Sequence, residues 1–306
     1  MNNFLDVISQ FTAVFLGIFI EAVPFLFLGT LASGIVEVFF SREELARLLP
    51  RNPILGAFTG SLLGLFFPVC KCGVVPLTRR LFQKGVPTAV GISFLLAAPV
   101  LNPIVIASTY AAFGFGQVFW GRMGLTLLIA VLTGIIFSRQ GDVNQLLRSS
   151  VELPDGIGLA AKPAVLLEKG STNRLRQVAV IAGDEFFEMG KYLVIGAFLA
   201  SVLHIFIPQS WLESIGRGPV LSVIAMAALA VLLSVGSTVD AFIALAFAGQ
   251  FATGGILSFL VYGPMVDIKS ILMFAHIFRK RSVVYLVLLP LLMVLVSTAA
   301  WNILMG

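Results

Sequence analysis

The chain has 306 residues, of which 58% are hydrophobic and only 11% charged, and its mean hydropathy is +1.02. A soluble domain carries roughly 25% charged residues, and a water-solvated fold of this length has no interior large enough to hide so much apolar surface. The formal net charge of +5 does not mark a nucleic-acid-binding face, because the Lys and Arg residues gather in short segments between apolar runs. That is the pattern of cytoplasmic anchoring in a lipid bilayer.

The first apolar run, 11–40, exceeds the roughly 20 residues that a spanning helix needs and is too long for a signal-peptide core. Residues 1–10 carry no Lys or Arg, so no cleavable leader is expected. Glu21 lies inside this run, and Arg42, Arg47 and Arg51 follow it. Two short arms, 54–69 and 73–84, then flank Pro68-Val-Cys-Lys-Cys-Gly73. Neither arm is long enough to span. The pair reads as a re-entrant hairpin or broken helix with its tip inside the membrane.

The run 86–112 is interrupted by Pro99, Asn102 and Pro103, and 117–138 is the next span. Residues 139–176 form the longest polar segment. With Pro154, Gly156, Gly158, Pro163 and Gly170 they read as a cytoplasmic linker between two membrane units, 1–138 and 177–306. The second unit opens with 177–208, which holds Glu188 and Lys191 at a spacing that allows an ion pair. Arms 219–235 and 237–252 make a second hairpin, whose tip Val235-Gly-Ser237-Thr238-Val-Asp240 carries polar groups. The runs 255–275 and 283–304 close the chain.

The two units resemble each other. Glu21 and Gly29 fall opposite Glu188 and Gly196, Ser93-Phe-Leu and Pro99 fall opposite Ser258-Phe-Leu and Pro264, and Asn102 falls opposite Asp267. The expected fold is therefore an all-α polytopic membrane protein of two inverted repeats. Each repeat has about three spanning helices and one hairpin. With the N-terminus outside, this arrangement puts 15 of the 20 Lys and Arg residues on the cytoplasmic side, leaves only Arg122 and Arg217 outside, and keeps Lys71, Lys191 and Lys269 within apolar segments. A chain of eight full crossings would put Arg279, Lys280 and Arg281 on the opposite side from the linker. Inverted repeats with interrupted helices are a transporter architecture, with the solute held where the interruptions meet.

Cys70 and Cys72 are the only cysteines. Read blandly, they are two small apolar residues in a turn. Against that stand the prolines around them, Lys71 between them and their place at a break, a setting that favours thiolate chemistry. A disulfide two residues apart is strained. Structural zinc wants four ligands, and only His204 and His276 are available as imidazoles, so no resident metal is expected. Soft thiolates select soft metals and, by extension, thiophilic metalloids. Two cysteines match the two exchangeable positions of a monosubstituted trivalent organoarsenical.

The run Phe67-Pro-Val-Cys-Lys-Cys-Gly-Val-Val-Pro76, followed by Ser93-Phe-Leu-Leu-Ala-Ala-Pro-Val-Leu-Asn-Pro103, resembles the signature of the ArsP/YraQ-like predicted permeases. The resemblance runs over nearly the whole chain. It implies a permease of the cell (inner or plasma) membrane and, by analogy with ArsP itself, efflux of trivalent organoarsenicals and arsenical resistance.

The expected substrate-binding residues are Cys70, Lys71, Cys72, Asn102, Ser237 and Thr238, and the expected coupling-ion residues are Glu21, Glu188, Asp240 and Asp267. Intramembrane ionisable groups cost about 2.5–3.5 kcal/mol each near a helix centre, so function is their default reading, although ion pairs that only fix packing are the plain alternative for Glu188. Asn102 either offers its amide and freed carbonyls to a solute or merely satisfies a proline kink. No G-x-x-x-x-G-K-[ST] loop is present, so no ATP use is expected. Neither catalytic residues nor a cofactor are expected. The partners are a small-molecule or metalloid substrate and the lipid bilayer, without nucleic acid, and the sequence leaves open whether a homo-oligomer forms. Rival readings are a transporter of a transition-metal ion or small thiol compound, a membrane thiol oxidoreductase using Cys70 and Cys72, and a scaffold.

Overall fold

The computed structural model describes residues 2–50, 52–67, 70–139, 146–148, 174–206, 218 and 220–305, and the side chains of these except residues 2–6, 46 and 204–206. Most of the 139–176 linker, together with Pro68, Arg217 and the side chain of His204, thus lies outside the described residues. The described chain is almost entirely helical. Its helices are α1 (Asn2–Phe39), α2 (Arg42–Leu48), α3 (Pro53–Leu63), α4 (Lys71–Gln83), α5 (Thr88–Ala97), α6 (Pro103–Phe113), α7 (Gln117–Arg139), α8 (Arg174–Phe206), α9 (Leu221–Leu233), α10 (Asp240–Ala246), α11 (Thr253–Met265), α12 (Ile268–Ile277) and α13 (Lys280–Met305).

Among the described residues, five stretches are long and apolar enough to cross a membrane: Val7–Phe39, Gln117–Arg139, Arg174–Leu203, Thr253–Ile277 and Lys280–Met305. The sixth expected span, 86–112, is instead two short helices. Pro99 and Pro103 supply no backbone donor, so α5 stops at Ala97 and α6 starts afresh at Pro103. Asn102 caps the new helix, its Oδ1 accepting from the Ile104 and Val105 amides at 2.8 and 3.2 Å. The stretch Thr253–Ile277 has a matching break. There α11 ends after Pro264, and Asp267 caps α12 through the Ser270 amide at 2.7 Å. Every residue of α5 is buried, and so is all of α11 after its first residue, which makes these two helices the core of the molecule.

Close glycine contacts set the helix directions. Gly29 lies against the Gly73 backbone, and further along Lys84 Nζ reaches the Glu37 carbonyl at 2.8 Å, so α1 and α4 run parallel and end on one face. Helix α8 runs antiparallel to α1: Val178 sits against Gly34, Phe186 meets Phe27 edge-on, and Phe198 meets Phe11. Helix α12 ends on the same face, where the Arg148 amide donates to the Ile277 carbonyl and the Arg279 amide to the Leu146 carbonyl, both at 2.9 Å. The described part of the linker and Arg279 therefore share a face, called here the basic face. A chain of eight crossings would separate them.

The hairpins enter from different faces. Helix α3 runs parallel to α5, with Gly60 on Val90 and Gly64 on Ala98, and α4 returns to the basic face. Helix α9 runs parallel to α11, with Ser222 on Gly255, Ala230 on Gly263, and the Ser258 hydroxyl on the Val223 carbonyl at 3.1 Å. Helix α10 then turns back towards Phe113, Val118, Phe247 and Phe251, away from the basic face.

Two sequence-based expectations are corrected. Arg122 does not lie on the outside surface: it is within α7 and fully buried. The cause is an acid across the core, described below. Lys191 does not pair with Glu188, which bonds Arg79 and His276 instead, while Lys191 is exposed.

A Cβ at Gly29 would collide with the Gly73 backbone, whereas one at Gly17 meets nothing within 4 Å. Gly29→Leu is expected to lower stability by about 1–3 kcal/mol, the usual cost of overpacking, and Gly17→Leu to leave it nearly unchanged. Thermal unfolding of the two variants in detergent checks the contrast.

Candidate functional site between the hairpin tips

Helix α4 begins at Lys71, and Cys70 precedes it in an extended conformation as its N-cap. The helix start therefore fixes where both thiols point. Cys70 is half-buried and Cys72 is 2% exposed, and both are free. They line a cleft with Lys71, with Ile18, Glu21, Ala22 and Phe25 of α1, with Gly236, Ser237 and Thr238 of the second tip, and with Lys269 of α12. Of the expected substrate-binding residues, five come together here. Asn102 does not, because its side-chain oxygen is spent on capping α6.

Glu21 is the expected coupling residue that lines the cleft. Its Oε1 accepts from the Thr238 hydroxyl at 2.8 Å, which ties α1 to the second tip. Gly236 lies against it, and a Cβ there would push the Glu21 carboxylate aside.

Beneath the cleft lies a buried ionic centre. Asp267 is fully inaccessible and holds Lys71 Nζ at 2.6 Å and Lys269 Nζ at 3.7 Å. Lys71 also donates to the Gly263 and Val235 carbonyls at 3.1 and 3.3 Å. Ser234 completes the centre: its hydroxyl donates to Asp267 at 2.7 Å and its carbonyl accepts from Lys269 at 2.5 Å. Ser234 is the one non-glycine residue at positive φ among those described, at φ 49° and ψ 35°. Such a conformation is costly for a residue with a Cβ, and persists where surrounding bonds over-determine it.

Asp240 lies apart from the cleft lining. Its Oδ2 accepts from Arg122 at 2.7 Å, and Arg122 also donates to the Thr109 hydroxyl at 2.8 Å. This pair joins α7 and α6 to the start of α10. Asp240 Oδ1, Arg122 Nε and the Ser237 hydroxyl are buried without a protein partner.

Glu188 lies at the basic face, not at the cleft. It bonds Arg79 at 3.0 Å and His276 at 2.7 Å, and His276 stacks on Tyr192. Nearby, Arg80 bonds Glu185 at 2.5 Å, and Lys84 reaches Glu37 at 3.4 Å. Sequence reasoning noted Lys269 as an ionisable group after Pro264 without assigning it a partner, and gave no such role to Arg122, Glu37, Glu185 or His276. The signal for the face network was the amphipathic stretch 73–84, whose basic residues find acids on α1 and α8 rather than water. Among the described residues no three His, Cys, Asp or Glu side chains converge in a way that could hold a metal ion.

A family model described as "Predicted permease", ArsP_1, matches residues 7–303. The chain is 44% identical over 293 residues to "UPF0718 protein YcgR" of Bacillus subtilis strain 168, covering 94% of this chain and 96% of that protein. It is 34% identical over 290 residues to the "Putative two-component membrane permease complex subunit" of Streptococcus mutans, covering 94% and 93%. No solved structure matches the chain. The signature around Cys70 and Asn102, the membrane-spanning helices and the match across nearly the full length agree, and the chain is a multi-pass membrane protein that belongs to the ArsP_1 family of permeases.

Proposed function

We propose that the protein is an efflux permease for a soft, thiol-reactive solute of the trivalent organoarsenical kind, working by alternating access between two inverted repeats. The observation that carries this reading is the cleft, where both free thiols from the first tip face Ser237 and Thr238 of the second. Hairpins that enter from opposite faces and meet in the interior support the inverted-repeat part. A dithiol site supports the substrate class, because capture needs no oxidant. Two As–O bonds break, two As–S bonds form, and each thiol proton leaves with hydroxide as water. The name of the streptococcal relative supports a role as one subunit of a two-component complex.

The test is uptake of trivalent methylarsenite into everted membrane vesicles. Gradient-driven accumulation is expected with the wild-type protein and is expected to be lost in both Cys70→Ser and Cys72→Ser. Accumulation that survives in both variants would make the thiols structural. Its absence from wild-type vesicles that contain folded protein would remove the arsenical substrate.

A further inference from the structure

Three features of the cleft are not used by a dithiol site. The first is Lys269, a residue of the cleft lining whose ammonium holds the Ser234 carbonyl at 2.5 Å and lies 3.7 Å from Asp267. The second is the Ser237 hydroxyl, which lines the same space, belongs to a residue only 2% exposed and has no hydrogen-bond partner. A buried hydroxyl without a partner costs free energy comparable to a lost hydrogen bond, so a group that fills its valence belongs in the cleft. The third is the N-terminus of α4, a helix of 13 residues whose positive dipole end opens at Cys70 to Cys72. A cation, a donor hydroxyl and a helix N-terminus all favour an anion.

The charges of the cleft fix the stoichiometry. Asp267 sits against Lys71 at 2.6 Å, and with no exposed surface of its own it stays beneath the cleft as that lysine's partner. Lys269 is farther from Asp267, at 3.7 Å. The opposite charge left to balance it on the cleft wall is Glu21. Glu21 shares the cleft lining with Lys71, Cys70 and Cys72 of α4 and Lys269 of α12, and it accepts from the Thr238 hydroxyl of the second tip. An anion entering this space replaces the charge of Glu21, provided that Glu21 takes up a proton.

We infer that the permease carries solutes with one anionic group beside their thiol-reactive centre, bound at Lys269 and Ser237, and that one proton on Glu21 accompanies each anion. This rests on the dithiol reading above and narrows its substrate. With Asp267 matched to Lys71, the formal charges of Lys269 and Glu21 cancel when the cleft is empty, and the solute takes the place of the Glu21 charge when the cleft is full, so neither state buries an unbalanced charge.

The experiment compares two probes that share an aryl arsenous core, phenylarsine oxide and its carboxylated form 4-arsenosobenzoate. Ligand-induced rise of the unfolding temperature of the purified full chain reads their affinities. The wild-type protein is expected to bind the carboxylated probe about tenfold more tightly, the scale of one charge-assisted hydrogen bond. That preference is expected to grow as pH falls while the carboxylate stays ionised. Ser237→Ala is expected to shrink it, and because that hydroxyl has no protein partner the substitution leaves folding intact. Glu21→Gln is expected to keep the preference and abolish its pH dependence. Equal affinity for both probes, or a preference that does not respond to pH, overturns the inference and leaves the dithiol site standing. If neither probe stabilises the protein, the dithiol reading falls and this one with it.

Discussion

Asp267→Ala is expected to cost about 3–5 kcal/mol of stability, the penalty for stripping one partner from a buried ion pair. Two ammonium groups, Lys71 and Lys269, would be left facing each other, with 4% and 3% of their surfaces exposed. The Ser234 hydroxyl would also lose the acceptor that helps to hold its left-handed backbone. The expected readout is a large fall in the unfolding temperature, or loss of monodisperse protein in detergent. Lys71→Met combined with Asp267→Leu is expected to recover part of the loss, because it removes the stranded charge of Lys71 while Lys269 still lacks its carboxylate. A double variant no more stable than the single one would show that the penalty comes from Ser234 and the α12 cap, not from the lysine.

Arg122→Leu is expected to be comparably damaging, at about 3–5 kcal/mol, but in a different place. Arg122 is fully buried and bridges Asp240 at the start of α10 to Thr109 of α6. Without it the Asp240 carboxylate, already short of a partner at Oδ1, has no counter-charge. The second hairpin is then expected to loosen while the first stays packed. Thiol labelling separates the two effects: a cysteine placed at Ala244, buried on α10, is expected to become reactive in Arg122→Leu, and one at Leu77, buried on α4, to stay protected. Equal labelling of both positions would mean global unfolding.

Much of this architecture is legible in the sequence, for physical reasons. Apolar length marks α1, α7, α8 and α13 directly. The breaks at 98–102 and 266–267 are announced by Pro99, Pro103 and Pro264, which withhold donors or crowd the turn. The meeting of the two tips follows from their matching places in the two halves. What the sequence conceals is pairing across space. Arg122 stands four residues after Val118 in an apolar stretch and looks like a loop-edge cation, and only the approach of α10 shows that it lies opposite Asp240. Glu188 and Lys191 have helical spacing for a pair, yet α4 brings Arg79 close to Glu188 and α12 brings His276. Asn102 shows the same limit. Its position between prolines is evident, but which of its possible tasks it performs depends on the direction of its amide.

The glycine seams carry a mechanical consequence. Where Gly29 meets Gly73, the backbones of α1 and α4 touch, with no side chains between them to act as bearings. Gly196 against Lys269 joins α8 to α12 in the same manner. With α1 packed along α8, these four helices form one stiff block drawn from both halves of the chain. The other block is seamed by Gly60 on Val90, Gly134 on Ser93 and Gly254 on Thr298. Relative displacement is cheapest between the blocks, along the surface where α4 meets α5 and α12 meets α13. The covalent joints between the blocks include short ones: residues 84–87 lead into α5, 266–267 join α11 to α12, and 278–279 lead into α13. Any turn of one block on the other would act through these short joints, with Cys70 and Cys72 riding on one block and the second tip on the other.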